Sequence, residues 1–225
     1  VIRKGFLVLL AEVAKSFTPT ETKQYPLLHL DLKHLFDEDK EQDVFSNLMH
    51  VQPHRRARAL VQLRKRIDKL EANTITSIFL PMIMHNLHEA DKGSENVLIQ
   101  ESILTIQAIA ATLPWSRYSS ILRTIMSQIQ KYPSREKLLI KSIEGVIDAF
   151  HFDMSDGIQK FLVETLLPLL NGFLVEKSED AYAPMQALRV PIALSVVKVL
   201  KKLPVGALEE HLLGLLSTIC GLLKS

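Results

Sequence analysis

Two prolines occupy the same kind of place 87 residues apart. Pro81 lies inside "FLPMIM" and Pro168 inside "LLPLLN", each in an apolar run with helical spacing. A proline in a helix interior removes a backbone hydrogen bond and clashes with the preceding turn, at a cost of about 3 kcal/mol. Two in equivalent places therefore point to a bend that the architecture uses. The separation is about twice 43 residues. Halfway along, near Ile125, "SSILRTIMSQI" supplies an equivalent apolar helix without the proline, and one further step lands at "HLLGLLSTI".

A helix pair recurring at about 40–47 residues is the period of HEAT and armadillo repeats. The rest of the chain fits that period. "EQDVFSNLMHV" (Glu41–Val51) reads as a helix, and Pro53 opens a basic one. Asn73 or Thr74 caps "NTITSIFLPMIMHNLHE", and Pro114 ends "ENVLIQESILTIQAIAATLP" and starts the next helix. Pro133 and Ser134 open another, Ser155 or Asp156 caps "SDGIQKFLVETLLPLLNGFLVE", and two more helices complete the chain. "EADKGS" and "KSEDAYAP" read as polar joints. Glycine is scarce, at 8 residues, and no alternating apolar–polar run suggests a strand. The expected fold is all-α: an α-solenoid of HEAT/armadillo-like helical repeats, with residues 1–225 as a single run. Each pair has more apolar surface than it hides alone, and stacked pairs share one core.

Several classes of function have no foothold. No run reaches the roughly 18 apolar residues of a membrane span. The single cysteine, Cys220, rules out an internal disulfide and sits in the apolar "LLSTICGLL", which suits a buried small hydrophobe. No GxGxxG, Walker loop, HExxH, GxSxG or CxxC motif occurs, so no enzyme activity and no cofactor are expected. The chain opens without Met, in the middle of an amphipathic pattern, "VIRKGFLVLLAEVAKSF", as expected of a piece of a longer protein.

The charge distribution is uneven. The formal net charge is only +2, yet seven Lys or Arg fall between His54 and Lys69 against one acid, Asp68. On a wheel of 100° per residue, Leu60, Leu63, Ile67 and Leu70 form the buried face. Arg55, Arg58, Gln62, Lys65, Arg66 and Lys69 fall opposite, as a stripe of five cations without acids among them. Such a stripe fits a phosphate backbone, where Lys and Arg release counterions without reading bases. It fits intramolecular neutralisation equally well, because "DEDKEQD" (Asp37–Asp43) carries a net −4 just upstream. Arg56 and Arg64 flank the apolar face and are expected to pair with a carboxylate or with carbonyls of the preceding helix.

Metal or catalytic readings of the histidines are weaker. His50 and His54 have i, i+4 spacing, but Pro53 intervenes and no third ligand is near in sequence. His85 and His88 suit a helix C-terminus. "HFD" (His151–Asp153) lacks a nucleophile and suits a helix-end cap.

The stretch "DVFSNLMHVQPHRRARALVQL" resembles the large HEAT-repeat component of the small-subunit processome, the "down-regulated in metastasis" family. The pattern FxNxxHxQxHRRARAL is matched by Phe45, Asn47, His50, Gln52, His54, Arg55, Arg56, Ala57, Arg58, Ala59 and Leu60. Pro53 departs from it, where an aliphatic residue is usual. Weaker echoes in "IFLPMIMHNL", "LPWSRYSSILRTI" and "VIDAFHFD" carry the resemblance from Asp43 to Asp153; the flanks read only as helical-repeat sequence. The resemblance implies a scaffold without an active site, located in the nucleus and nucleolus. It implies contacts with pre-ribosomal RNA and/or small nucleolar RNA and with other processome proteins, and neither a membrane nor a small-molecule substrate. It tilts the stripe Arg55, Arg58, Lys65, Arg66 and Lys69 toward RNA. The alternative is a HEAT adaptor or transport receptor that binds proteins only.

Overall fold

The computed structural model describes residues 2–16, 30–89, 97–175 and 184–223. Among them the regular structure is helical throughout, without a strand, so the all-α helical-repeat class expected from the sequence is the one observed. The chain divides into two compact units, Val1–Thr124 and Ile125–Ser225.

In the first unit α1 (Ile2–Ser16) lies on a 3-10 turn (Leu30–Leu35) and on α2 (Val44–Leu48). Helix α2 packs on α3 (Pro53–Lys65), and α3 packs along α5 (Val97–Thr112). Between them in sequence, α4 runs as Ala72–Thr74, a π-helical turn at Ile75–Phe79, and Leu80–Glu89, and also packs on α5. Helix α6 (Trp115–Lys131) follows, and the unit boundary falls within it. In the second unit α7 (Glu136–Asp148) packs on α9 (Pro184–Leu200). Helix α8 runs as Asp156–Phe161, a π-helical turn at Leu162–Leu166, and Leu167–Val175. Its last part packs on α9, and α10 (Val205–Leu223) touches both α8 and α9.

The paired prolines have a common local structure. Each is preceded by a π-helical turn in which the residue before proline donates its N–H five residues back, Leu80 to Ile75 O and Leu167 to Leu162 O. A proline ring clashes with the carbonyl four residues back in a regular helix. Widening the turn by one residue moves that carbonyl out of the way. Both prolines are exposed. The inward side is apolar at every fourth residue: Ile75, Phe79, Ile83 and Leu87 in α4, and Leu162, Leu166, Leu170 and Leu174 in α8, none more than 2% exposed. The same device therefore recurs in both units at the separation seen in the sequence.

Some helix boundaries differ from expectation. The helix expected over Glu41–Val51 is observed only at Val44–Leu48, because Asp43 caps it by accepting the Ser46 N–H at 2.6 Å. The expected capping of α4 by Asn73 or Thr74 does not occur; the N-cap position is Glu71, and no side chain of its own caps it. Asp31 takes that part from a distance, accepting the Glu71 N–H at 2.7 Å and the Thr74 hydroxyl at 2.9 Å. Ser155 takes the N-cap position of α8, but its side chain makes no capping hydrogen bond. Most of the joint "EADKGS" and of the joint "KSEDAYAP", and the side chain of Cys220, lie outside the described residues. No helix among the described residues is long and apolar enough to cross a membrane.

Candidate nucleic-acid interface

Helix α3 begins at Pro53 and ends at Lys65; Arg66 leaves the helix with φ −120° and ψ 9°. The chain continues as a 3-10 turn, Ile67–Lys69, so the stripe is carried by a helix and a turn rather than by one helix reaching Lys69. The apolar face is where the wheel puts it: Leu60, Leu63, Ile67 and Leu70 are all buried. Gln62, expected on the solvent side, is also buried, as are Ala57 and Ala59. The reason is that α3 is covered on two sides, by α2 and by α5. Its open arc is narrow and holds exposed His54 and Lys65, with Arg58 and Val61 partly accessible.

The five predicted cations have different environments. Arg58 pairs with Glu41 through Nη1 and Oε2 at 3.0 Å, with side chains 41% and 65% exposed. Arg66 donates from Nη2 to Asp37 Oδ2 at 2.7 Å and from Nη1 to the Gln42 carbonyl at 2.9 Å, with its side chain 14% exposed. The acidic segment Asp37–Asp43 is thus folded against α3 and neutralises two of the five. Lys65 and Lys69 are exposed and Arg55 is partly so, and none of the three has a carboxylate partner among the described residues.

Arg64 behaves as its position on the apolar flank predicts. Its Nη1 donates to the Glu101 carbonyl at 3.1 Å and to the Thr105 hydroxyl at 2.9 Å, and its Nη2 donates to the Glu101 carboxylate. The partners belong to the later helix α5, which packs on α3, and not to the preceding helix as expected. Arg56 is half-buried.

At the start of α3, the Gln52 N–H donates to His50 Nδ1 at 3.1 Å, so the imidazole accepts there and is neutral. Desolvation, and then the positive charges of Arg55 and His54, hold its pKa below the ordinary histidine value. His151 bonds through Nδ1 to the carbonyl of Ala149, the C-cap residue of α7, as a helix-end cap does. No group of three or more His, Cys, Asp or Glu suited to a metal occurs among the described residues.

The second unit carries a cationic cluster that inspection of the sequence did not single out. Lys198 of α9 reaches Glu144 and Asp148 of α7, each at 2.9 Å. Desolvation alone would lower its pKa, but the hydrogen bonds and charges of the two carboxylates outweigh it and hold the ammonium above the ordinary lysine value. Lys198, Lys201 and Lys202 line an open cavity of about 210 Å³ with Ile147 and Asp148. The Lys202 Nζ stands 5.5 Å from the centroid of the Phe150 ring. In sequence these lysines are spread over the end of one helix, and only the stacking of α9 on α7 supplies the neighbours.

Residues 180–225 match the family described as the U3 small nucleolar RNA-associated protein 20 domain. The U3 small nucleolar RNA-associated protein 20 of Schizosaccharomyces pombe is 27% identical over 258 aligned residues that take in 100% of the chain. That of Saccharomyces cerevisiae is 26% identical over 210 residues, 85% of the chain. The chain is similar to these two proteins along most or all of its length. It spans 10% and 8% of the length of those two relatives. The domain match to U3 small nucleolar RNA-associated protein 20 falls beyond Asp43–Asp153, on a flank whose sequence reads only as helical repeat, and it includes Lys198, Lys201 and Lys202.

Proposed function

We propose that the chain is a non-catalytic section of a helical-repeat scaffold in small ribosomal subunit biogenesis. It presents a cationic ridge to the phosphate backbone of pre-ribosomal RNA and/or small nucleolar RNA, and meets other processome proteins, in the nucleolus. Residues 1–225 are read as one run of repeats within a longer chain. The relatives' names support the assignment to a small nucleolar RNA-associated particle. The observation that carries the contact itself is the set Arg55, Lys65 and Lys69, which have no carboxylate partner among the described residues. Cations already committed to carboxylates have little to gain from a phosphate, whereas uncommitted ones release the polyanion's counterions. Arg58 and Arg66 are secondary members of the site, because each is engaged by the acidic segment.

The test is RNA binding as a function of salt for the chain and for its Arg55→Glu/Lys65→Glu/Lys69→Glu variant, with circular dichroism to confirm the fold. On single-stranded RNA each lost phosphate contact reduces the slope of log affinity against log salt by about 0.7. A loss of roughly 2 is expected for three cations. An unchanged slope and affinity in a folded variant would remove this surface from consideration.

A further inference from the structure

The two ion pairs between the acidic segment and α3 are built differently, and the difference assigns them different jobs. The backbone of the segment is fastened by the Asn47 amide, which donates to the carbonyls of Lys40 at 2.9 Å, Glu41 at 3.1 Å and Asp43 at 2.8 Å. Asp43 adds the Ser46 N–H at 2.6 Å and the Asp37 N–H at 3.1 Å. Two further turns are closed by Asp37 Oδ1 on the Asp39 N–H and by Asp39 Oδ1 on the Glu41 N–H. Arg66 belongs to this fastening, since it holds Asp37 and the Gln42 carbonyl together and is largely shielded from solvent. Giving it to a phosphate would mean unfastening the segment.

Arg58 is in the opposite situation. It has a single carboxylate partner, Glu41, and both side chains are solvent-accessible. Exposed pairs of this kind contribute little and exchange readily. The Glu41 side chain needs only to rotate away, leaving the segment's backbone in place. We infer that Glu41 is a built-in competitor for phosphate at Arg58: a carboxylate held over the cationic ridge that an RNA phosphate displaces, so that the ridge gains Arg58 as a further contact when RNA binds, while Arg66 stays a structural bolt. The inference rests on the proposed reading of the ridge as an RNA contact. It makes the acidic segment a threshold: a weak polyanion meets the ridge with Arg58 masked, and a strong one exposes that further cation.

The experiment uses the 225-residue chain and a fluorescein-labelled 20-nucleotide single-stranded RNA, titrated at several salt concentrations. Glu41→Gln removes the competitor and Glu38→Gln removes an equal charge from an exposed neighbour. Glu41→Gln is expected to raise affinity about two- to five-fold and to make the salt slope steeper by up to about 0.7, since the unmasked arginine then counts as a full phosphate contact with no carboxylate left to take up a cation in its place. Glu38→Gln is expected to give less than half that gain. Adding Arg58→Gln to Glu41→Gln is expected to abolish the gain. Equal effects of Glu41→Gln and Glu38→Gln would overturn the inference, because a general change in field then explains both. If the Arg55/Lys65/Lys69 triple variant weakens binding while those two match, only the competitor role fails. If the triple variant also binds unchanged, the ridge itself is not the RNA site and the competitor falls with it.

Discussion

Arg64 and Glu101 join α3 to α5 across the interface that both helices bury most heavily. The guanidinium of Arg64 holds the Glu101 carboxylate, the Glu101 backbone carbonyl and the Thr105 hydroxyl at once. The two charged side chains are 22% and 20% exposed, which makes this a partly buried pair. Removing the arginine leaves a carboxylate and a hydroxyl without their donor. Arg64→Ala is therefore expected to lower unfolding stability by about 1–3 kcal/mol. Arg64→Lys should recover only part of it, because an ammonium lacks the planar fork. Urea unfolding of the three proteins checks this; indistinguishable midpoints for Arg64→Ala and the parent chain would show that the pair does not hold the helices together.

Asn47 makes a second prediction. Its two amide protons are shared among three carbonyls of the acidic segment, and the residue is buried at 1% exposure. Asn47→Ala takes the side-chain donor from the Lys40 and Glu41 carbonyls, while the Asp43 carbonyl keeps the Asn47 backbone N–H, and should cost about 1–3 kcal/mol. Asn47→Asp should cost more, since it turns a carboxylate toward the same three oxygens. Amide exchange adds a local readout: the N–H groups of Asp39 and Glu41 should lose protection before the helices do.

The π-helical turns can be tested through their inward side. Phe79 and Leu166 occupy corresponding positions in α4 and α8 and are fully buried. Phe79→Ala is expected to cost about 3–5 kcal/mol and Leu166→Ala about 2–5 kcal/mol. Pro81→Ala, at an exposed ring, should cost no more than about 1 kcal/mol, because the buried residues on either side keep the wide turn in register. A Pro81→Ala loss as large as that of Phe79→Ala would mean that the proline, and not the core, sets the register.

These examples also separate what was legible in the sequence from what was not. The proline pair and the residues at every fourth position speak locally: a ring excludes a carbonyl, and an apolar side chain at each turn needs a cover. Both were readable at the right separation. The surroundings of α3 were not. Gln62 looks solvent-facing on a wheel and is buried because α3 is covered on two sides, by α2 and by α5. The expected helix began at Glu41, inside the acidic segment. The Asp43 cap and the Asn47 clamp delay that helix to Val44, which frees Glu41 and Asp37 to reach Arg58 and Arg66. Arg64 was legible as a residue in need of a partner, but nothing local identifies Glu101, 37 residues away.

His50 sets the pH behaviour of the start of α3. Its Nδ1 accepts the Gln52 N–H, which requires the neutral ring, and desolvation with the charges of Arg55 and His54 opposes protonation. A histidine whose pKa is lower folded than unfolded binds fewer protons in the folded state, so stability rises with pH across the interval between the two values. The contribution is fully present above the unfolded value of about 6.5 and is lost as pH falls through the folded one. Protonation also places a cation at a helix N-terminus that has no acid in its first turn, adding an unfavourable dipole interaction. The chain should therefore lose stability between neutral pH and mildly acidic pH, and His50→Ala should flatten that part of the curve. Unfolding midpoints measured from pH 5 to pH 8, with an NMR titration of the His50 ring, check both halves; a ring that titrates at or above the ordinary histidine value would refute the assignment.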